Sequence, residues 1–292
     1  MNPAAGQDEP VRVRRQLGGA LTVRSVPFDL VETTGAGDAV EWARRGLHLG
    51  YHSVLAVGGD GTVAEVITGL AGSQIPLGIV PQGTGNQLAG NLGIPSDLER
   101  AVEIAVSGDI IPLDLGQLAD GRYFALMAGA GWDATVMSTA TREMKDRWGF
   151  GAYLYAGLRH AAARPSTLFR ITADDVEFEV RAATVIVANA GQLVYDLLPV
   201  EMRIGPGVSF HDGLLDICVF APRTLSDVAM VLWRVARRNY VGDDRMIYLQ
   251  AHSIRVEADP PVITQVDGDP DGETPLVASA VRGGVLVRVP RI

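Results

Sequence analysis

Apolar runs alternate with helix-like stretches along the first third of the chain. Short apolar runs predict strands, and apolar positions spaced three and four residues apart predict helices. The predicted strands are residues 21–30, 53–57 and 76–80, and the predicted helices are 38–45, capped by Asp38, 63–71, 86–92 and 98–106. This alternation predicts a parallel sheet covered by helices, with ligands at the carboxyl ends of the strands.

The pattern changes after residues 114–116, because strand candidates dominate from there on. These candidates are residues 123–128, 168–173, 177–181, 184–188, 214–220, 253–257 and 284–289. Two helical stretches interrupt them, at residues 151–163 and 226–238. We therefore predict an α/β domain at residues 1–118 and a β-rich domain at 119–292, whose last strand packs back on the first domain.

Two glycine-rich turns follow neighbouring predicted strands, Gly58-Gly59-Asp60-Gly61-Thr62 and Gly83-Thr84-Gly85-Asn86. Glycine lets backbone N–H groups approach an anion, and a helix N-terminus favours negative charge. The Walker lysine and the Gly-x-Gly-x-x-Gly spacing are both missing. Either turn alone also fits an ordinary chain reversal, but the pair predicts a nucleotide phosphate site. Glu65 is expected near that ligand or as a solvated helix charge.

Composition narrows the functional classes. A length of 292 residues with 47% hydrophobic content favours two domains, and a net charge of -9 argues against a nucleic-acid partner. Cys218 is the only cysteine, which excludes an internal disulfide and fits a reducing cytoplasm. The sequence shows no signal-peptide core and no apolar run near the roughly 20 residues of a membrane span. We expect a cytoplasmic protein, with peripheral membrane association left open.

Eight short motifs follow one another along the chain, and their order is more specific than any one of them. They are residues 2–6, 33–39, 58–65, 83–86, 114–116, 148–153, 212–216 and 267–269. Taken together, these motifs resemble the diacylglycerol kinase catalytic family. That family includes bacterial lipid kinases and the sphingosine and ceramide kinases, and it is distantly similar to NAD kinases. The resemblance implies an N-terminal α/β nucleotide-binding domain, a C-terminal β-sandwich domain and an active site in the cleft between them.

The resemblance also implies an activity, the transfer of the γ-phosphate of Mg-ATP to diacylglycerol or a related lipid alcohol. The candidate ATP-binding residues are Asn2, Pro3, Ala4, Ala5, Gly6, Thr33, Gly58, Gly59, Asp60, Gly61, Thr62, Glu65, Gly83, Thr84 and Asn86. The segment containing Asp267 and Asp269 matches the family's Asp-Gly-Glu motif, which supplies the base acting on the acceptor hydroxyl. The candidate magnesium ligands are Asp212, backbone oxygens near Ser209 and Leu214, and Asp114 near the phosphates.

Physical chemistry agrees with these assignments. An alcohol is not ionised at neutral pH, so a carboxylate that accepts its proton lowers the barrier to phosphoryl transfer. Magnesium between the phosphates and an acid such as Asp60 or Asp114 would neutralise charge and align the γ-phosphate. Asp60 is therefore also a catalytic candidate. Without the resemblance, residues 267–273 would be interpreted as an acidic surface turn.

Several positions depart from the family pattern. Asp269 stands where glutamate is usual, Gln87 where many bacterial members have aspartate, and Ala64 where asparagine is common. The chain also begins at the Asn-Pro motif without the strand that usually precedes it, which a truncation or a late start assignment would explain. Two alternatives therefore stay open, an NAD kinase-like enzyme and a catalytically impaired protein that binds nucleotide or lipid.

Membrane contact is predicted only weakly. Apolar residues of the 226–238 helix lie on one side and arginines gather near its end, at Val228, Val231, Leu232, Val235, Arg234, Arg237 and Arg238. Packing of this amphipathic helix on a core is favoured over contact with a lipid surface. Beside the lipid alcohol substrate, we expect transient contact with a membrane surface, and homodimerisation is left open.

Overall fold

The fold comes from a computed structural model, which describes residues 1–6, 9–131, 167–190, 192–194, 202–203, 209–237, 239 and 242–291. The chain divides into two compact units. The first contains Met1–Leu115 and Arg282–Ile292, and the second contains Gly116–Val281. The predicted helix at 151–163 and the motif at 148–153 lie outside the described residues.

The first unit alternates helices and strands. Its elements are α1 (Pro10–Val23), α2 (Asp38–Leu49), β1 (Val54–Gly58), α3 (Asp60–Leu70), β2 (Leu77–Pro81), α4 (Gln87–Asn91), α5 (Leu98–Ser107) and the first part of β3 (Asp109–Leu118). Strands β1 and β2 pair in parallel, and Val287 of the last strand pairs in parallel with Leu77. Each residue of β2 is buried, as expected for a parallel strand covered on both faces.

Two local predictions in this unit are wrong. Residues 21–23 belong to α1 rather than to a strand, because Val13, Leu17 and Leu21 form a buried helical face. Asp38 does not cap α2 from the N-cap position, which is Gly37. The Asp38 carboxylate instead accepts hydrogen bonds from the preceding turn, which lower its pKa.

The second unit is built mainly of strands. They are the end of β3, β4 (Tyr123–Phe124), β5 (Met127–Gly131), β6 (Thr167–Ala173), β7 (Val176–Ala182), β8 (Thr184–Ala188), β9 (Gln192–Val194), β10 (Met202–Arg203), β11 (Leu215–Phe220), β12 (Met246–Ala251), β13 (Ser253–Asp259), β14 (Ile263–Val266), β15 (Asp269–Glu273) and the start of β16 (Leu276–Val289). Helix α6 (Leu225–Ala236) follows β11. Within the described ranges, one sheet has the strand order β12-β11-β8-β5-β14-β15, with every pair antiparallel.

A second layer covers this sheet. It pairs β16 with β13, β13 with β6, and β6 with β7. Apolar residues of both layers, such as Phe169, Val256, Val187 and Ile217, form one buried core. The opposite face of the first sheet packs against Val231 of α6. The predicted β-sandwich and the predicted α/β unit are therefore both confirmed.

None of the helices in the described ranges has the length and apolarity that crossing a bilayer requires.

Candidate active site

The two glycine turns lie against each other at the carboxyl ends of β1 and β2. Gly58 pairs with Pro81 in the parallel register, and the Gln82 amide donates to the Gly58 carbonyl oxygen over 2.8 Å. A Cβ added at Gly83 would lie 2.7 Å from the Cα of Gly59, a distance that real side chains do not reach. The backbones of the two turns therefore contact each other directly, which only glycine permits at Gly83.

The N-terminal segment packs onto the same turns. The backbone N–H of Asn2 donates to the Val57 carbonyl oxygen over 2.9 Å, and the side-chain Nδ2 of Asn2 donates to the Thr62 Oγ1 over 3.0 Å. Gly6 has a φ of 77°, and a Cβ there would lie 2.0 Å from the Gln82 carbonyl oxygen. The structure thus brings two predicted ATP-binding segments, residues 2–6 and 58–62, into contact with the turn that contains the predicted residues Gly83, Thr84 and Asn86.

Hydrogen bonds made by Asn86 hold the second glycine turn, residues 83–86, in a closed conformation. Asn86 adopts a φ of 46° and exchanges two hydrogen bonds with the backbone of Gly83, at 2.8 and 2.7 Å. This closed turn leaves the Thr84 side chain exposed. The Thr33 amide donates to the Met1 carbonyl oxygen over 3.0 Å, which brings the 33–39 segment to the N-terminal residue.

Two predicted acidic residues bind backbone amides. The Asp60 Oδ1 accepts from the Leu88 amide over 3.2 Å, which links α3 to α4. The Glu65 Oε1 accepts from the Gly37 amide over 2.9 Å and its Oε2 accepts from the Ala39 amide over 3.0 Å. These bonds satisfy N–H groups at the start of α2, which a helix itself leaves unpaired. Glu65 thus fixes the 33–39 turn beside the glycine turns.

Asp114 is also engaged within the first unit. It is buried, and its Oδ1 accepts from the Gly283 amide over 2.7 Å. This bond joins β3 to β16, so the structure gives Asp114 a packing role. Its role at magnesium stays a prediction.

In the second unit, the Asp267-Gly268-Asp269 motif forms a tight β-hairpin. Val266 pairs with Asp269, so Asp267 and Gly268 are the two residues of the loop, with φ values of 46° and 97°. Positive φ at both loop residues defines a turn whose twist matches that of the flanking strands. The Asp267 carboxylate accepts from the amides of Ala125, Leu126 and Met127 at 3.1, 2.9 and 2.9 Å.

Two other carboxylates of the hairpin, those of Asp269 and Asp271, have different environments. Asp269, the first residue of β15, is exposed. Asp271 is bound on both oxygens by the Arg122 guanidinium, at 2.6 and 3.0 Å, and these bonds together with those to Asp120 raise the pKa of Arg122. The 267–269 motif therefore contains one carboxylate bound to backbone amides, Asp267, and one exposed carboxylate, Asp269.

The predicted magnesium residues lie in a turn before β11. The Asp212 Oδ1 accepts from the Leu214 amide over 3.0 Å, around Gly213 with its φ of 77°. The Ser209 Oγ accepts from the His211 amide over 3.2 Å. In the described part of the chain no three His, Cys, Asp or Glu side chains converge. A cation at this turn would therefore need backbone oxygens among its ligands.

One buried acid at this turn was not predicted as a site residue. Asp216 lies inside the 212–216 motif and is fully buried. Its Oδ1 accepts from Tyr248 and, over 3.1 Å, from the Gln250 Nε2, which also donates to Asp212 over 3.3 Å. Among the described residues, its Oδ2 has no hydrogen-bond partner. Burial, with a smaller contribution from the Asp212 charge, raises the pKa of Asp216 to about 6.

Comparison with known families agrees with this arrangement. The diacylglycerol kinase catalytic domain matches residues 1–118, and the YegS C-terminal NAD kinase beta sandwich-like domain matches residues 127–289. The chain is thus a lipid kinase by class, a phosphotransferase with an alcohol group as acceptor. Within that class, it belongs to the diacylglycerol kinase family, as its motifs predicted.

Individual relatives extend over most of the chain. A diacylglycerol kinase of Mycobacterium tuberculosis is 30% identical over 99% of this chain and 94% of its own length. An uncharacterised protein of Synechocystis sp. is 30% identical over 94% of this chain, and the match covers 66% of the length of that relative. The crystal structure of a diacylglycerol kinase from Bacillus anthracis str. Sterne gives a TM-score of 0.73 over 99% of this chain and 94% of its own, at 23% identity. That last likeness concerns the fold.

Proposed function

We propose that this chain transfers the γ-phosphate of ATP to the hydroxyl of diacylglycerol or a related lipid alcohol. In this proposal the predicted domain at residues 1–118 binds the nucleotide, and the predicted domain at residues 119–292 supplies the base and the acceptor site. The observation that carries the proposal is the backbone contact between the Gly59 and Gly83 turns at the ends of parallel strands. Such turns present N–H groups to phosphate oxygens without side-chain obstruction.

Asp269 is the proposed base. It is exposed at the start of β15, whereas Asp267 and Asp271 are bound to backbone amides and to Arg122. A carboxylate that accepts the hydroxyl proton while the P–O bond forms needs an unobstructed oxygen. Asp60 binds the backbone amide of Leu88, and we therefore assign it to the support of the glycine turns rather than to proton transfer.

Magnesium is the proposed metal cofactor. The predicted donor set at this turn, the Asp212 carboxylate with backbone oxygens near Ser209 and Leu214, fits a hard cation that prefers oxygen. Asp216 adds a buried carboxylate oxygen without a partner in the described ranges, linked to Asp212 through Gln250. When bound, magnesium would supply positive charge that offsets phosphate and carboxylate charge.

A lipid acceptor requires that the protein reaches a membrane surface. The exposed face of α6 presents Met230 and Trp233, which are 40% and 52% exposed, and the Arg237 guanidinium lies 5.4 Å from the Trp233 ring centroid. Tryptophan and arginine suit the boundary between headgroups and acyl chains. These residues support transient membrane contact, while homodimerisation stays a prediction to which no surface is assigned.

The test is transfer of label from γ-labelled ATP into a total lipid extract, with mass spectrometry of the products. We expect a labelled lipid phosphate. Phosphorylation of NAD without any lipid product would favour the NAD kinase alternative. Tight ATP binding by calorimetry without turnover on a broad lipid panel would favour the catalytically impaired alternative.

The base is tested with Asp269→Asn and Asp269→Glu. We expect the asparagine variant to lose about 10²- to 10⁴-fold in kcat, the usual contribution of a general base. Glutamate, the residue usual in the family, should retain activity within about tenfold, since the carboxylate is kept and the arm grows by one methylene. Asp175→Asn, at an exposed acid in the β6–β7 turn of the same unit, is the matched control. Full activity of Asp269→Asn would contradict the assignment.

A further inference from the structure

We propose that Asp267 is a positioning residue, which fixes the hairpin that carries Asp269 by binding the amides of residues 125–127. This inference rests on the proposed function, in which Asp269 accepts the proton of the acceptor hydroxyl. Asp267 and Asp269 belong to one motif, and sequence alone does not distinguish their roles. Their hydrogen bonds do.

The Asp267 carboxylate is committed to the backbone. Its Oδ1 accepts from Leu126 and Met127 and its Oδ2 accepts from Ala125. A carboxylate has about four lone-pair sites, and three of them are used by these amides. A general base needs an oxygen directed at the proton it accepts. Asp267 therefore lacks the freedom that the base requires.

All three backbone N–H groups of residues 125–127 donate to the Asp267 carboxylate. The Ala125 carbonyl oxygen accepts from Asn189 Nδ2, that of Leu126 accepts from the amides of Asn189 and Ala190, and that of Met127 accepts from the Asp267 amide. Asp267 thus supplies the acceptors that complete the hydrogen bonding of the segment. Ala125 and Leu126 are buried, so an amide left unpaired there would be costly.

The turn formed by Asp267 and Gly268 also fixes the position of Asp269. Pairing of β14 with β5 ends at Val266 and Ala128, and Asp267 is the next residue. The Gly268 amide donates to the Oε1 of buried Gln265 over 2.8 Å. Both loop residues are therefore held by hydrogen bonds, Asp267 to residues 125–127 and Gly268 to Gln265. Asp269 follows only two residues after Asp267, a reach of about 7 Å, so its place is determined by this turn.

The experiment compares Asp267→Ala and Asp267→Asn with Asp269→Asn in the full-length protein. Three quantities are measured: kcat with labelled ATP and diacylglycerol in mixed micelles, the pH profile of kcat, and amide hydrogen exchange of the 122–131 fragment. Asp271→Asn is the matched control, because it removes a charge from the same hairpin that is bound by Arg122 instead of by the 125–127 amides.

We expect Asp267→Ala to lower kcat about 10- to 100-fold, as displacement of a catalytic group does, and to accelerate exchange at 125–127. Asp267→Asn keeps one carbonyl oxygen and should show intermediate values of both. The fall of kcat at low pH should persist in both Asp267 variants and disappear in Asp269→Asn. Asp271→Asn should keep kcat and the 125–127 exchange rates.

The inference is overturned if either Asp267 variant loses the low-pH fall in kcat, or if exchange at 125–127 is unchanged in Asp267→Ala. If Asp267→Ala does not fold, Asp267→Asn decides the same two questions. Absence of lipid phosphorylation by the unmutated protein would refute the proposed function instead. In that case the exchange measurement, which needs no turnover, still reports on the hydrogen bonds of Asp267.

Discussion

The glycine turns of the first unit and the hairpin of the second unit both combine glycine with aspartate, but they use the two residues differently. At Gly83, glycine is required because an added Cβ would meet the backbone of Gly59 at 2.7 Å. At Gly268, glycine is favoured because φ is 97°. Asp60 links two helices through one amide, whereas Asp267 binds three successive amides of a buried segment.

This difference shows how each region tolerates change. Close packing of two backbones leaves no room for an added atom. A substitution there is therefore unfavourable for steric reasons and changes the shape of the site. A positive φ is a conformational preference, and other residues adopt it at a moderate cost. The glycine turns should therefore be the more sensitive of the two regions to a single added methyl group.

The largest expected effect is that of Gly83→Ala. Its Cβ would meet the Gly59 backbone at 2.7 Å and the Asn86 Oδ1 at 3.0 Å, and backbone cannot move aside as a flexible side chain can. We expect a loss of about 1–3 kcal/mol in the free energy of unfolding and a large rise in the KM for ATP. Thermal unfolding and steady-state kinetics measure the two effects.

Two alanine variants control for the loss of glycine itself. Gly61 and Gly19 lie in α3 and α1, and a Cβ at either meets no atom within 4 Å. Gly61→Ala should hold or raise stability by up to about 1 kcal/mol, the ordinary helix preference for alanine, and Gly19→Ala should also keep kcat. Equal destabilisation by all three substitutions would mean that backbone contact is not the cause.

A smaller effect is expected from Gly268→Ala in the hairpin. The added methyl group makes a φ of 97° unfavourable by about 1–2 kcal/mol. Asparagine tolerates positive φ better than alanine, so Gly268→Asn should lose less stability than Gly268→Ala. The order of the two midpoints of thermal unfolding checks this. If the asparagine variant were the less stable one, space rather than φ would limit the position.

The sequence pattern predicted the larger features of both regions. Alternating apolar runs gave the parallel pair β1 and β2, and the order of the motifs gave the family. The predicted strand at 21–30 was wrong, because its first residues complete the buried face of α1. The partners of Glu65 and Asp267 could not be predicted, since they lie 26–28 and 140–142 residues away and are backbone amides, which carry no sequence signal.

Asp216 provides the smallest expected effect and a test of the second unit away from the hairpin. Its pKa in the folded protein, about 6, lies above the ordinary value of 3.8. The folded state therefore binds the proton more tightly than the unfolded state does. The stability that this site contributes is complete below about pH 3.8 and is lost as the pH rises through about 6.

Asp216→Asn should remove this pH dependence. Asparagine keeps an oxygen for Tyr248 and Gln250 and places an uncharged amide where the Oδ2 has no partner among the described residues. In EDTA at about pH 8 the variant should be more stable by on the order of 1 kcal/mol, and the difference should vanish near pH 4. Thermal unfolding across that pH range, with and without magnesium, measures the stability difference at each pH.

If the variant were instead less stable at pH 8 in EDTA, the ionised carboxylate would be stabilised by a partner within the protein. A gain that magnesium reverses would show that the charge of Asp216 serves a bound cation.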